Sequence, residues 1–87
     1  MKPYESRVVD EYRQLVDRIK RLKTLLEGWD MLNFAPSCTY DQLTCQLMAM
    51  VGYLESLNAR NDLKELEARN LIELKHIVVA VVPHGHR

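Results

Sequence analysis

Apolar residues recur along the first third of the chain at Tyr4, Val8, Tyr12, Leu15, Ile19, Leu22 and Leu26. Steps of 4, 4, 3, 4, 3 and 4 residues separate them, the spacing of a helical seam rather than the two-residue alternation of a strand. The pattern predicts one helix over residues 3–27. Pro3 suits a first turn, where its missing N–H costs nothing, and Gly28 reads as a left-handed stop. At 1.5 Å per residue the rod is about 36 Å long. A second seam follows at Tyr40, Leu43, Leu47, Met50, Leu54 and Leu57. Thr39 and Gln42 stand in capping-box register ahead of it, and Cys38 and Leu43 suit a hydrophobic staple. Two seams of this kind need each other, and a short connection makes them antiparallel neighbours.

The connection, residues 28–38, is too apolar for a free linker. Trp29, Leu32 and Phe34 are expected to fold over the open end of the hairpin, and Pro36 keeps Ala35 out of helix. Beyond Asn61 the pattern changes. Asp62 and Glu65 suit the cap of a further helix, but Asn70 falls where the heptad wants an apolar residue. From Leu71 the chain is rich in β-branched residues. Ile72, Leu74, Val78, Ala80 and Val82 share one parity, which favours a strand over a helix for residues 71–82. A lone strand needs a partner, and the same strand of another subunit is the obvious one. The expected architecture is therefore mainly α. It is a single domain over residues 1–87: an antiparallel two-helix hairpin (3–60) with a C-terminal extension (62–87), a short helix, a β-strand or both, used in oligomerisation.

Composition narrows the function classes. The chain has 87 residues, with 12 Lys and Arg balanced by 12 Asp and Glu. That balance argues against a protein that coats nucleic acid, which needs surplus positive charge. Residues 1–20 hold no apolar stretch of the secretory kind, and the run from Ile77 to Val82 is far too short for a membrane span. Two helices bury little surface at this size. The apolar surplus at Trp29, Met48, Val51 and residues 77–82 therefore predicts a homo-oligomer. Cys38 and Cys45, about two turns apart on one helix, are too distant for a disulfide and fit a reducing compartment.

No phosphate loop, nucleophile elbow or zinc-protease motif is present, so the sequence reads as a non-enzyme without metal or cofactor. His84 and His86 read as a solvated end rather than a metal pair, and His76 as an interface histidine. Arg13, Arg18, Lys20, Arg21 and Lys23, opposed by Asp17, form either a solvated helix face or an anion-binding patch. Gln46, Tyr53 and Arg60 recur every seven residues on the second helix, while Tyr4, Arg7 and Glu11 share a face of the first. An antiparallel hairpin brings these two sets to the same end. Two readings fit them. One is a tyrosine and ion-pair network between helices or subunits. The other is a pocket for an anionic, ring-bearing small molecule, with arginines on phosphate and tyrosines stacked on a base.

The segment Tyr4-Glu-Ser-Arg7-Val8-Val-Asp-Glu11, with the later Gln46-Leu-Met-Ala-Met50-Val-Gly-Tyr53-Leu54-Glu-Ser-Leu57-Asn-Ala-Arg60, resembles a family of small phage and prophage proteins. That family is named after a reading frame of a crAss-like phage. The resemblance covers residues 4–60. Asn61 departs from the aliphatic residue usual there, and residues 62–87 run past the usual end. It implies a phage product acting in the bacterial cytoplasm. By analogy of size and helical build, it points to an inhibitor of host defence or an oligomeric sponge for a nucleotide second messenger. The first expectation is thus sequestration of a cyclic nucleotide or ADP-ribose derivative at inter-subunit pockets. Ligand contacts would come from Tyr4, Arg7, Glu11, Gln46, Tyr53 and Arg60. The alternatives are a protein-directed inhibitor or adaptor docking on a host enzyme, and a small DNA-binding regulator using the basic residues of the first helix.

Overall fold

The computed structural model describes residues 2–32 and 39–79. Its elements are α1 (Pro3–Glu27), a 3-10 turn (Trp29–Met31), α2 (Tyr40–Asn58) and α3 (Asn61–Ala68). The first helix has the bounds its seam predicts. Lys2 N donates to Glu5 Oε1 at 3.1 Å and closes its first turn. Gly28, however, is not left-handed: its φ of −100° is open to any residue, and the chain continues directly into the 3-10 turn. The capping box of α2 is formed in both directions. Gln42 N donates to Thr39 Oγ1 at 3.1 Å, and Thr39 N donates to Gln42 Oε1 at 2.9 Å.

α1 and α2 pack as a hairpin around Tyr12, Ile19, Leu47 and Leu54, all essentially sealed from solvent. Of the residues expected to fold over the open end, Trp29 meets Tyr40 edge-on, with ring centroids 5.6 Å apart. Phe34, Pro36, Cys38 and its proposed staple, and the residues from Ala80 onward with His84 and His86, lie outside the described residues. The buried stripe of α1 is wider than one seam, because Val9 and Val16 are buried beside Tyr12 and Ile19. Val51 of α2, read from the sequence as surplus, is likewise in the core, while Met48 remains half exposed.

The extra layer comes from the C-terminal part of the chain. α3 starts at Asn61 and buries Leu63 and Leu66. Asp62 is not its N-cap: that position is Arg60, whose side chain makes no cap bond, while Asp62 sits inside the first turn and accepts from Leu63 N at 2.9 Å. The helix ends on Asn70, which takes the left-handed conformation with φ of 59°. Leu71 N donates to the Leu66 carbonyl at 3.0 Å and Asn70 N to the Glu67 carbonyl at 2.9 Å. This is the Schellman arrangement. Asn70→Gly is expected to stabilise the chain by up to about 1 kcal/mol and Asn70→Ala to destabilise it by about 1 kcal/mol. Thermal melts of the two variants check the sign.

Residues 71–79 then run back along the hairpin as a strap. Among the described residues they are neither helix nor part of a sheet. The parity read from the sequence also fails. Ile72 is buried and Leu74 half-buried, but so are Ile77 and Val79, while Val78 is 82 % exposed. The strap follows the hairpin's contour instead of one pleated face. No helix among the described residues is long and apolar enough to cross a membrane.

Candidate functional site

The strap is held by a buried polar knot. Lys75 N donates to Tyr12 Oη at 2.7 Å, Tyr12 Oη donates to Asn58 Oδ1 at 2.6 Å, and Asn58 Nδ2 donates to the Lys75 carbonyl at 2.7 Å. Both backbone groups of Lys75 are thereby paired, and Asn58, the one buried polar residue among the described core, is bonded at both its Oδ1 and its Nδ2. Burial, opposed in part by the Lys75 backbone contact, pushes the Tyr12 hydroxyl above its ordinary range. Between α1 and the strap lies a groove of about 530 Å³ whose floor includes Val16 and Ile72 and whose rim carries Arg13, Asp17, Glu73 and Lys75. The rim is of mixed sign, and Lys75 Nζ already meets Glu73 Oε2 at 3.2 Å.

Among the described residues, the strap (71–79) lies against one side of the hairpin. On α1 the covered side holds Tyr12 and Val16, and on α2 it holds Asn58. The other side is an open edge. On α1 it runs through Tyr4, Val8, Glu11, Leu15, Arg18 and Leu22, with Arg7 adjoining, and on α2 through Leu43, Gln46, Met50 and Tyr53. These steps of 3 and 4 residues keep each line on one helix face. Val8, Leu15, Leu22, Leu43 and Met50 are only half-buried there. Tyr4 and Tyr53 are 53 % and 57 % exposed, and Arg7, Glu11 and Gln46 are exposed. The open edge is therefore a half-covered apolar floor bordered by tyrosine, arginine, glutamine and glutamate.

At one end of that edge Asp62 joins Tyr4 and Arg60, two of the six residues that the sequence predicts to contact ligand. Asp62 Oδ2 accepts from Arg60 Nη2 at 2.6 Å and from Tyr4 Oη at 3.0 Å. Its Oδ1 accepts from Arg60 Nε at 3.1 Å and from Leu63 N at 2.9 Å. Burial pushes the Asp62 carboxyl up, but Arg60, Tyr4 and the Leu63 amide outweigh it and hold the group below the ordinary carboxylate range. The guanidinium of Arg60 is correspondingly held more firmly protonated. Glu5 meets Arg69 at 2.7 Å and is also held low, first by the Lys2 amide and then by Arg69. Both ends of α3 are thus tied to the first turn of α1. Arg7, Glu11, Gln46 and Tyr53 make no hydrogen bond to one another among the described residues.

The basic residues of α1 do not form one patch. Arg13, Arg18, Lys20, Arg21 and Lys23 are distributed around the helix at about 100° per residue, and Lys23 is half-buried. Lys20 and Arg21 border, with Asp17 and Thr24, a shallow depression of about 350 Å³. Among the described residues no group of three or more His, Cys, Asp or Glu is placed to hold a metal ion.

Asp62 had one signal in the sequence, its position two residues after Arg60, but that spacing also describes an ordinary helix start. The strap knot had none, because Tyr12, Asn58 and Lys75 meet only through tertiary structure.

No curated protein and no solved structure matches the chain. A protein-family match runs over residues 2–63, which contain α1, α2 and the first turn of α3 but not the strap. It takes in the whole span, residues 4–60, on which the sequence resemblance rests. The matched residues make up well over half of the chain, and they make it a member of the Sequestin family, whose name denotes a sequestering protein.

Proposed function

We propose that this chain sequesters a nucleotide-derived immune signal, a cyclic nucleotide or an ADP-ribose derivative, on the open edge of its hairpin. The observation that carries the reading is the edge itself: two exposed tyrosines and two arginines beside an apolar floor that is half-buried among the described residues. Tyr4 and Tyr53 supply stacking faces, Arg7 and Arg60 supply phosphate donors, and Gln46 and Glu11 bond polar edges. Such binding needs positioned contacts and no reacting group, so the chain acts as a binder and not as an enzyme. A second copy laid on the same edge would bury Val8, Leu15, Leu22, Leu43 and Met50 and close the pocket from above. In this reading the protein is phage-encoded and works in the host cytoplasm against a signalling defence.

Calorimetric titration with ADP-ribose and with cyclic dinucleotides tests this. Base stacking on an aromatic side chain contributes about 1–3 kcal/mol, so Tyr53→Ala is expected to weaken binding about tenfold or more, and Arg7→Ala comparably. Flat titrations with all of these nucleotides would contradict the proposal. A protein-directed inhibitor is the second reading. It is favoured by the extended strap, where Val78 stands exposed within an apolar run, and stoichiometric co-purification of a host protein would support it. The DNA-binding alternative loses its main feature, since the basic residues of α1 do not share a face.

A further inference from the structure

Arg60 and Tyr4 belong to the proposed ligand edge, yet in this structure both are spent on a carboxylate. The arrangement around Asp62 is that of a bound anion. Two oxygens face the Nε and Nη2 of one guanidinium in a two-pronged contact, and a phenolic hydroxyl donates to one of the same oxygens. A phosphate presents oxygens to an arginine fork in the same way. We propose that Asp62 is a built-in competitor: its carboxylate occupies a phosphate seat formed by Arg60 and Tyr4, and a phosphate-bearing ligand binds there by displacing it. The inference rests on the reading of the open edge as a nucleotide site and adds a device that sets its affinity.

Two structural features make displacement feasible. The Arg60 and Asp62 side chains are 47 % and 35 % exposed, so water already competes for the contact and the carboxylate has solvent to turn into. The helix bearing Asp62 does not depend on that contact for its position. Leu63 and Leu66 are buried, Arg69 holds Glu5 at 2.7 Å, and the helix end is closed by its own backbone. Freeing the seat therefore asks for rotation of one side chain and release of its Oδ1 from Leu63 N, with α3 left in place. The exchange also carries a selectivity. A monovalent carboxylate yields to a group of higher charge more readily than to a neutral one, so the seat favours phosphates over uncharged analogues of the same shape.

The test uses the full chain and inorganic pyrophosphate as probe, followed by calorimetry at neutral pH. Asp62→Asn keeps the shape of the side chain and removes its charge. It is expected to tighten pyrophosphate at least fivefold. Glu65→Gln, an exposed change on the same helix with the same effect on net charge, is expected to shift it less than twofold. Adding Tyr4→Phe or Arg60→Gln to Asp62→Asn should abolish the gain. A gain in Asp62→Asn no larger than in Glu65→Gln, or a loss, would overturn the proposal. That result would instead mark Asp62 as the residue that orients Arg60. Should Asp62→Asn fail to fold by circular dichroism, the unaltered chain still decides the matter. Pyrophosphate should move the Arg60 Nε–Hε resonance, and an unmoved resonance at saturating probe would overturn the proposal. The two readings separate cleanly. Nucleotide binding without a pyrophosphate effect of Asp62→Asn removes the competitor and keeps the nucleotide site. Tightened pyrophosphate with no nucleotide bound by any variant does the reverse.

Discussion

Leu54→Ala is expected to cost about 2–5 kcal/mol of folding stability. Leu54 is fully buried in the middle of α2, against a neighbourhood that includes Ile19 and Leu47. Its truncation removes buried methyl groups and leaves a void that two rigid helices collapse into poorly. A chain of this length is stabilised by only about 4–13 kcal/mol in total. Since about 1 kcal/mol shifts the melting temperature by some 4–8 °C in so small a domain, a fall of about 8 °C or more follows. Met48→Ala, on the exposed side of the same helix, should stay within about 0.5 kcal/mol. Urea unfolding of both variants measures the contrast. Equal losses would mean that α2 does not bury the face assigned to it.

The second large effect is expected at Tyr12→Phe, at about 2–3 kcal/mol, because a buried polar group left without its partner costs about 1–3 kcal/mol. The phenolic oxygen is the hub of the strap knot, so its loss strands both Lys75 N and Asn58 Oδ1. The loss should be uneven. The Lys75 amide should exchange with solvent far faster, while the amides of Leu47 and Ile19 in the hairpin keep most of their protection. The same knot predicts a pH response. Burial raises the Tyr12 hydroxyl above its ordinary value. A raised folded value means that stability is fully present below the ordinary tyrosine range and is lost as the pH climbs through the folded value. Alkaline solution should therefore loosen the strap in the native chain and add no such Tyr12-linked step in Tyr12→Phe.

These two effects also mark what was legible in the sequence. The hairpin was, because steps of 3 and 4 residues and a Thr39–Gln42 capping box are local signals that survive without knowledge of the rest of the chain. The width of the core was not. A single seam presumes a single partner, whereas α1 faces both α2 and, at Tyr12, the strap, and its buried stripe widens to take in Val9 and Val16. The sequence points to Gly28 as the left-handed residue, because glycine adopts that conformation most cheaply. The structure uses it instead at Asn70, where the chain must reverse to send the strap back along the hairpin. The strap itself showed β-branched residues and one parity. Its course is set by Tyr12 and Asn58, which seize the backbone of Lys75, and not by pairing along a pleated edge.

For the site, helical spacing placed Tyr4, Arg7 and Glu11 on one edge and Gln46, Tyr53 and Arg60 along the other helix, and antiparallel packing brought Tyr4 to Arg60. Spacing was silent about Asp62, whose contact with both depends on where α3 crosses the first turn of α1. The division is also that of the family match: the residues that line the open edge fall within residues 2–63, while Lys75 and the rest of the strap fall beyond it.

The central claim is that the uncovered side of the hairpin is a nucleotide-holding surface completed by a second copy of the chain. Native mass spectrometry of the purified protein, incubated with ADP-ribose and with cyclic dinucleotides, tests it most directly. The account expects an assembly of two or more chains that retains nucleotide, with retention lost in Tyr53→Ala. A spectrum of single chains carrying no nucleotide would contradict it.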